Sequence, residues 1–169
     1  MYLSRRIVDR EGKAIDMSAA LAYLYVAQPK LYEIARALVN ASDEGEVFTV
    51  LKREGFKVKY ARERCAWEAS HDSLPLWVTL APKEDEQFGL RLSVIIPVEA
   101  EKVEADKQLL LGVYRVALSV SEVKEQLDRL VKRLTELEDA VRELRGRVDK
   151  VEGRLREMQE AGEDGGEGQ

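Results

Sequence analysis

One stretch of the sequence decides the architecture of this chain: residues 113–158, VYRVALSVSEVKEQLDRLVKRLTELEDAVRELRGRVDKVEGRLREM. When Val113 is placed at position a of a seven-residue repeat, every a and d position of the stretch is apolar. These positions are Val113, Val116, Val120, Val123, Leu127, Leu130, Leu134, Leu137, Val141, Leu144, Val148, Val151, Leu155 and Met158. With 45% hydrophobic residues in the chain, such a run arises by chance with a probability on the order of 10⁻⁵ in one frame. The stretch therefore predicts a long helix with a continuous apolar seam.

The period of this seam predicts that the helix pairs with other helices. A strict repeat of 3.5 residues stays on one side only when helices supercoil around one another in a left-handed sense. The seam is roughly 70 Å long at 1.5 Å per residue, which is more than a domain of about 100 residues can cover by folding back. We therefore expect a coiled coil with a second chain.

Charged residues beside the seam predict the orientation of the pair. Arg133 and Arg147 occupy g positions, and Glu138 and Glu152 occupy the e positions five residues later. These charges meet as ion pairs in a parallel coiled coil, whereas an antiparallel pair would bring arginines, including Arg154, together. Valine at a with leucine at d favours a parallel homodimer, but leucines at some a positions leave a trimer, a tetramer or a different partner chain open.

The first 100 residues change from helical to alternating periodicity, which predicts an α+β fold with helices packed on an antiparallel β-meander. The expected elements are a β-hairpin over residues 2–17, helices beginning after Ser18, at Pro29 and after Asp43, and strands near residues 56–60, 65–69, 76–80 and 90–96. The expected boundaries are a globular domain at 1–98, a helical connector docking on it at 99–112, a parallel coiled coil at 113–160 and a disordered tail at 161–169.

Composition excludes several classes of protein. The chain has 27 basic and 32 acidic residues, for a net charge of −5, which gives no overall reason to expect binding to nucleic acid or to a membrane surface. A single cysteine excludes an intramolecular disulfide framework, and the first residues lack the apolar core of a secretory signal. We expect a soluble cytoplasmic protein with no membrane contact. The abundance of Glu, Lys and Arg also resembles the composition of heat-adapted proteins.

One face of the predicted meander is a candidate nucleic-acid surface. If the strands pair in order, Lys57, Lys59, Trp77 and Arg91 share the outer face of the sheet. Basic side chains around an exposed aromatic ring can contact phosphates and stack a base of a single strand. The alternative interpretation is a solvated sheet face in which Trp77 is covered by the helix that follows Pro97.

Two helices in the predicted domain suggest a second route to nucleic acid. The pattern from Ile34 through a turn at 41–45 to Phe56 resembles a helix-turn-helix followed by a wing-like strand. The usual turn glycine is missing, and the would-be recognition helix begins with Asp43, Glu44 and Glu46, which would repel phosphates. The same pattern fits a plain helical hairpin that packs on the sheet.

No motif predicts catalysis, a metal or a cofactor. His71 and Cys65 are the only residues of their types, and no spacing around them completes a zinc site or a catalytic pair. The sequence therefore predicts a non-enzymatic oligomeric adaptor or scaffold that binds an unidentified protein. The alternative is a nucleic-acid-associated protein that uses the helix-turn-helix-like hairpin or the basic sheet face.

Overall fold

The chain is α+β, as the sequence predicts, with one mixed sheet, helices on one side of it and a long C-terminal helix. A computed structural model describes residues 2–84 and 89–164. The strands are β1 (Tyr2–Val8), β2 (Ala14–Ile15), β3 (Lys57–Ala61), β4 (Ala66–Ser70), β5 (Trp77–Pro82) and β6 (Gly89–Ile95). The helices are α1 (Met17–Ala27), α2 (Pro29–Asn40), α3 (Glu44–Arg53), α4 (Ala100–Ala105) and α5 (Lys107–Asp164).

The six strands lie in the order β2-β1-β6-β5-β4-β3. Strands β3 to β6 form the antiparallel meander that the sequence predicts. Strand β1 joins this meander by pairing in parallel with β6, so that Ile7 lies opposite Val94. The predicted hairpin therefore belongs to the same sheet. The two end strands of this sheet are β2 and β3.

The core lies on the face of the sheet that α1, α2 and α3 cover. Alternate residues of the central strands point toward these helices because successive side chains of a strand point to opposite faces. The helices contribute residues such as Leu24, Leu38 and Val47, all of them buried. The buried sheet residues include Ile7, Val78, Leu80, Leu92 and Val94.

Carboxylate side chains fix where two of these helices begin. Asp43 caps α3 as predicted, because its side chain accepts a hydrogen bond of 2.9 Å from the Glu46 amide. The prediction for α1 was wrong by two residues, since the cap is Asp16, which accepts a hydrogen bond of 2.9 Å from the Ala19 amide. A residue three positions before a free amide is the one whose side chain reaches it, and Ser18 lies too late for that.

The chain divides into two units, residues 1–117 and 118–169. In the first unit Val103 of α4 is fully buried, and Leu110 and Tyr114 from the start of α5 pack against the core. The second unit continues α5 to Asp164. The first four residues of the predicted tail are thus helical, and residues 165–169 lie outside the described residues.

Candidate functional site

The predicted seam is exposed along α5. All fourteen a and d residues have relative exposures between 44% for Val113 and 71% for Met158. Residues of the same types in the globular core, such as Leu38 and Val47, have no exposed surface. A single copy of this chain therefore leaves the whole apolar seam in contact with water.

The helix also carries one seam residue inside the predicted connector, residues 99–112. Leu109 lies seven residues before Val116, which places it at position d, and it is 71% exposed. Extending the seven-residue repeat by one step toward the N-terminus identifies Leu109 from the sequence. The seam therefore begins at least four residues before Val113.

Charges on α5 fall into two groups. Residues at outer positions pair within the helix, with 3.8 Å between Arg129 and Glu125 and 3.5 Å between Arg142 and Asp139. The residues beside the seam behave differently: within the described part of α5, no ion pair forms at Arg133, Glu138, Arg147 and Glu152. These four charges remain free to interact with another helix.

Three tyrosines join the start of α5 to α1 and α2 in the first unit. The rings of Tyr25, Tyr32 and Tyr114 lie 5.1 to 5.9 Å apart, centre to centre. The hydroxyl groups of Tyr32 and Tyr114 share a hydrogen bond of 2.8 Å. Burial and this hydrogen bond raise the pKa of Tyr114 to about 12. The start of α5 is therefore held by packed aromatic rings as well as by aliphatic contacts.

The register of the sheet brings the four predicted nucleic-acid residues to one face. Lys57 lies opposite Ser70, and Ser70 lies opposite Trp77. Lys59 is two residues after Lys57 and therefore points to the same side of the sheet. Arg91 lies opposite Ala81, which points to the same side as Trp77. This face is the one opposite to the helical layer. Its lysines are neutralised locally, because Lys57 lies 2.6 Å from Asp72 and Lys59 lies 3.5 Å from Glu68.

Two further details weaken the outer face as a bare cationic surface. Hydrogen bonding to the Lys57 ammonium holds the pKa of Asp72 below its ordinary value, so the Asp72 carboxylate carries a negative charge next to Lys57 at neutral pH. The ring of Trp77 is 38% exposed, and the guanidinium of Arg10 lies over it at 5.4 Å from the ring centre. An arginine of the β1–β2 turn thus lies over the ring of Trp77.

A second exposed patch lies on the opposite face, at the β3 end of the sheet. Val58 and Tyr60 lie on the side of β3 that faces the helices, but they are 37% and 48% exposed. Tyr60 contacts Trp67 of β4 at 5.0 Å between ring centres, and Trp67 contacts Phe48 of α3 at 5.4 Å. The sequence does not reveal this patch, because the alternation of apolar residues in β3 indicates which side faces the helices but not whether the helices cover that end of the sheet.

The helix-turn-helix-like hairpin consists of α2 and α3. Helix α3 buries Val47, Val50 and Leu51 in the core. Its first turn carries Glu44 and Glu46, of which Glu46 is exposed, so its N-terminal end is acidic. A DNA recognition helix presents this end to the bases and phosphates, and acidic side chains there oppose such binding.

The β1–β2 turn is stabilised by a buried carboxylate. Asp9 accepts hydrogen bonds from the amides of Lys13 at 2.8 Å, Glu11 at 3.0 Å and Ala100 at 3.2 Å. Burial acts to raise the pKa of Asp9, but the three amide hydrogen bonds outweigh it and hold the pKa below its ordinary value. Although Asp9 lines a cleft of about 610 Å³, its carboxylate already links the turn to the start of α4.

The described ranges, 2–84 and 89–164, contain no group of three or more His, Cys, Asp and Glu side chains that could hold a metal ion. Cys65 is exposed, and the Nδ1 atom of His71 accepts a hydrogen bond from the Ser73 amide at 3.1 Å. None of the helices in these ranges has the length and apolar character needed to cross a membrane. Comparison with protein-family models, curated proteins and solved structures finds no match for this chain.

Proposed function

We propose that this protein is a non-enzymatic cytoplasmic adaptor that forms oligomers through a parallel coiled coil and presents copies of its α+β domain to another protein. The observation that carries this proposal is the exposure of all fourteen seam residues in a single chain. Leaving an apolar stripe of this length in water is unfavourable, and contact with the same stripe of a second copy removes it from water. A homodimer is the simplest assembly that does so.

The free charges beside the seam support the parallel orientation. Arg133 and Arg147 form no ion pair within the described helix, and in a parallel dimer they lie next to Glu138 and Glu152 of the second chain. Each exposed pair contributes only about 0–1 kcal/mol. The charges therefore select the orientation, while burial of the seam provides the stability.

Disulfide trapping tests both parts of the proposal. In a Cys65→Ser background, Val151→Cys places a thiol at position d, where identical residues face each other in a parallel pair within the distance that a disulfide bridges. We expect mild oxidation to give a covalent dimer. The matched control, Lys150→Cys, lies one residue away on the outer side and should remain monomeric on a non-reducing gel. An antiparallel pair would place residue 151 near Val120 of the second chain, so absence of the Val151→Cys dimer contradicts the parallel arrangement.

A second candidate function, binding to single-stranded nucleic acid, is favoured by one observation. Lys57, Lys59, Trp77 and Arg91 share a sheet face that α1, α2 and α3 do not cover. If this face binds phosphates, affinity for an oligonucleotide should fall steeply with salt. The double substitution Lys57→Glu and Lys59→Glu should abolish it. Affinity that survives these substitutions excludes the outer face.

A further inference from the structure

The two end strands of the sheet differ in how well they are covered. Strand β2 has two residues, and α4 packs against it; Lys13, just before β2, forms an ion pair with Glu101 of α4. Strand β3 has five residues and pairs only with β4 among the described strands. An end strand of this kind presents backbone N–H and C=O groups that can pair with another strand. One edge of the sheet is thus covered and the other is open.

The side chains of β3 form two different surfaces at this open edge. On the helix side, exposed Val58 and Tyr60 adjoin Trp67, which makes an apolar shelf that Phe48 of α3 contacts at Trp67 and leaves partly exposed. On the outer side, Lys57 and Lys59 are exposed. We call β3 with these two surfaces the edge site.

The charge around the edge site is opposite in sign to that of the whole chain. Residues 52–72 contain six basic and four acidic side chains, whereas the chain as a whole has a net charge of −5. All six basic residues of this segment are exposed. Lys57 and Lys59 already pair with Asp72 and Glu68, but the two basic residues in excess leave this segment with a net positive charge, which favours an acidic ligand.

We propose that the edge site binds an extended acidic segment of a partner protein, which adds to the sheet as a further strand beside β3. Backbone hydrogen bonds provide affinity in this mode, and alternate side chains provide specificity. Acidic side chains of the partner lie beside Lys57 and Lys59, and its intervening apolar side chains cover Val58 and Tyr60. This inference rests on the adaptor function and assigns the partner's binding surface.

A second copy of this chain fits the edge site less well. Antiparallel pairing of two β3 strands about their middle residue places Lys59 opposite Lys59 of the other copy. Like charges directly opposite each other destabilise a strand pair. An acidic segment avoids this repulsion and replaces it with attraction.

Fluorescence anisotropy with synthetic peptides and the full chain tests the proposal. The probe is a fluorescein-labelled nine-residue peptide that alternates glutamate and valine, and the control peptide alternates lysine and valine. We expect saturable binding of the Glu–Val peptide alone. Two further Glu–Val peptides carry N-methyl groups on the amides of the glutamates or of the valines. One of these sets faces β3, so we expect one of the two peptides to lose binding.

Substitutions at the edge site identify the surface. Tyr60→Thr removes a half-exposed ring and introduces a β-branched residue that also suits a strand, and the pair Lys57→Gln and Lys59→Gln removes the charges. Each change should weaken binding of the Glu–Val peptide by about two- to fivefold, as expected for the loss of cross-strand contacts. The controls, Tyr2→Thr and Lys30→Gln, alter a similarly exposed ring and lysine elsewhere and should leave affinity unchanged. Circular dichroism confirms that each variant is folded.

Three results would overturn the proposal. One is equal binding of the Glu–Val and Lys–Val peptides, or binding of neither. Another is loss of oligothymidine binding on substitution of Trp77 but not of Tyr60, which identifies the outer face and nucleic acid instead. The third is a lower solution mass for Tyr60→Thr, which identifies a second copy as the occupant. The proposed oligomer is tested by a different measurement, the solution mass of the wild-type chain without peptide, so failure of the edge site and failure of the oligomer can be told apart.

Discussion

Replacing Leu130 and Leu134 with alanine should dissociate the proposed coiled-coil oligomer. These residues are 59% and 58% exposed in the single chain, so somewhat more than half of each surface is available for burial in the seam. A leucine-to-alanine change removes about three carbon groups, each worth about 0.8 kcal/mol when fully buried. The loss is therefore about 1.4 kcal/mol per position in each chain, or about 6 kcal/mol for two positions in a dimer, which raises Kd about 10⁴-fold.

Light scattering coupled to size exclusion measures the effect over a range of micromolar concentrations. The wild-type chain should have at least twice the 19.2 kDa mass of one copy, and the double variant should have the mass of one copy. The control variant, Lys132→Ala with Asp139→Ala, changes two residues at the outer position f and should keep the wild-type mass. A wild-type chain that is monomeric at these concentrations, or a double variant that keeps its mass, would refute the reasoning.

Three further predictions concern the stability of the first unit. The pKa of Asp9 lies below its ordinary value of 3.8, so the stabilising effect of this carboxylate is present above that pH and is lost as the pH falls further. The Asp9→Asn variant should therefore melt at a lower temperature than the wild type at pH 7. In acid it should lose less additional stability than the wild type does. The pKa of Tyr114 is about 12, so absorbance at 295 nm should show one late-ionising phenol in the wild type, which Tyr114→Phe removes, and stability from this group should be lost between pH 10 and 12. Cys65 has a φ of 48°, a region in which glycine avoids the Cβ penalty, so Cys65→Gly should raise the melting temperature, and a fall would contradict this.

Local signals in the sequence predict much of the fold. The capping carboxylate of Asp43 and the positive φ of Gly55, 82°, define the two ends of α3, and both residue types are typical of these positions. The alternation in β5 and β6 predicts both the strands and the residues that face the core, such as Val78 and Val94. These features depend on neighbours a few residues apart, which the sequence displays directly.

Contacts between distant segments were not predictable from these signals. The turn at Asp9–Gly12 predicts a hairpin that includes β1, but nothing local identifies β6 as the parallel partner of β1. Aspartate is common in turns, so the place of Asp9 in the β1–β2 turn is predictable. One of its hydrogen-bond donors, however, is the amide of Ala100, 91 positions away. The exposure of Tyr60 likewise depends on β3 being the last strand of the sheet, which follows from the topology and not from the strand's own pattern.

Oligomerisation through the proposed seam should increase the affinity of the edge site for a partner that has two acidic segments. A single added strand contributes few contacts, so one copy of the edge site is expected to bind weakly. A parallel coiled coil brings the N-terminal ends of α5 together, and with them the attached domains, so a partner with two acidic segments meets both edge sites at high effective concentration. An antiparallel pair would separate those ends by roughly 70 Å, the length of the seam. A peptide with two Glu–Val segments joined by a short flexible linker should therefore bind the wild-type chain more tightly than one segment does. That advantage should disappear in the variant with Leu130→Ala and Leu134→Ala, while the affinity for a single segment stays the same.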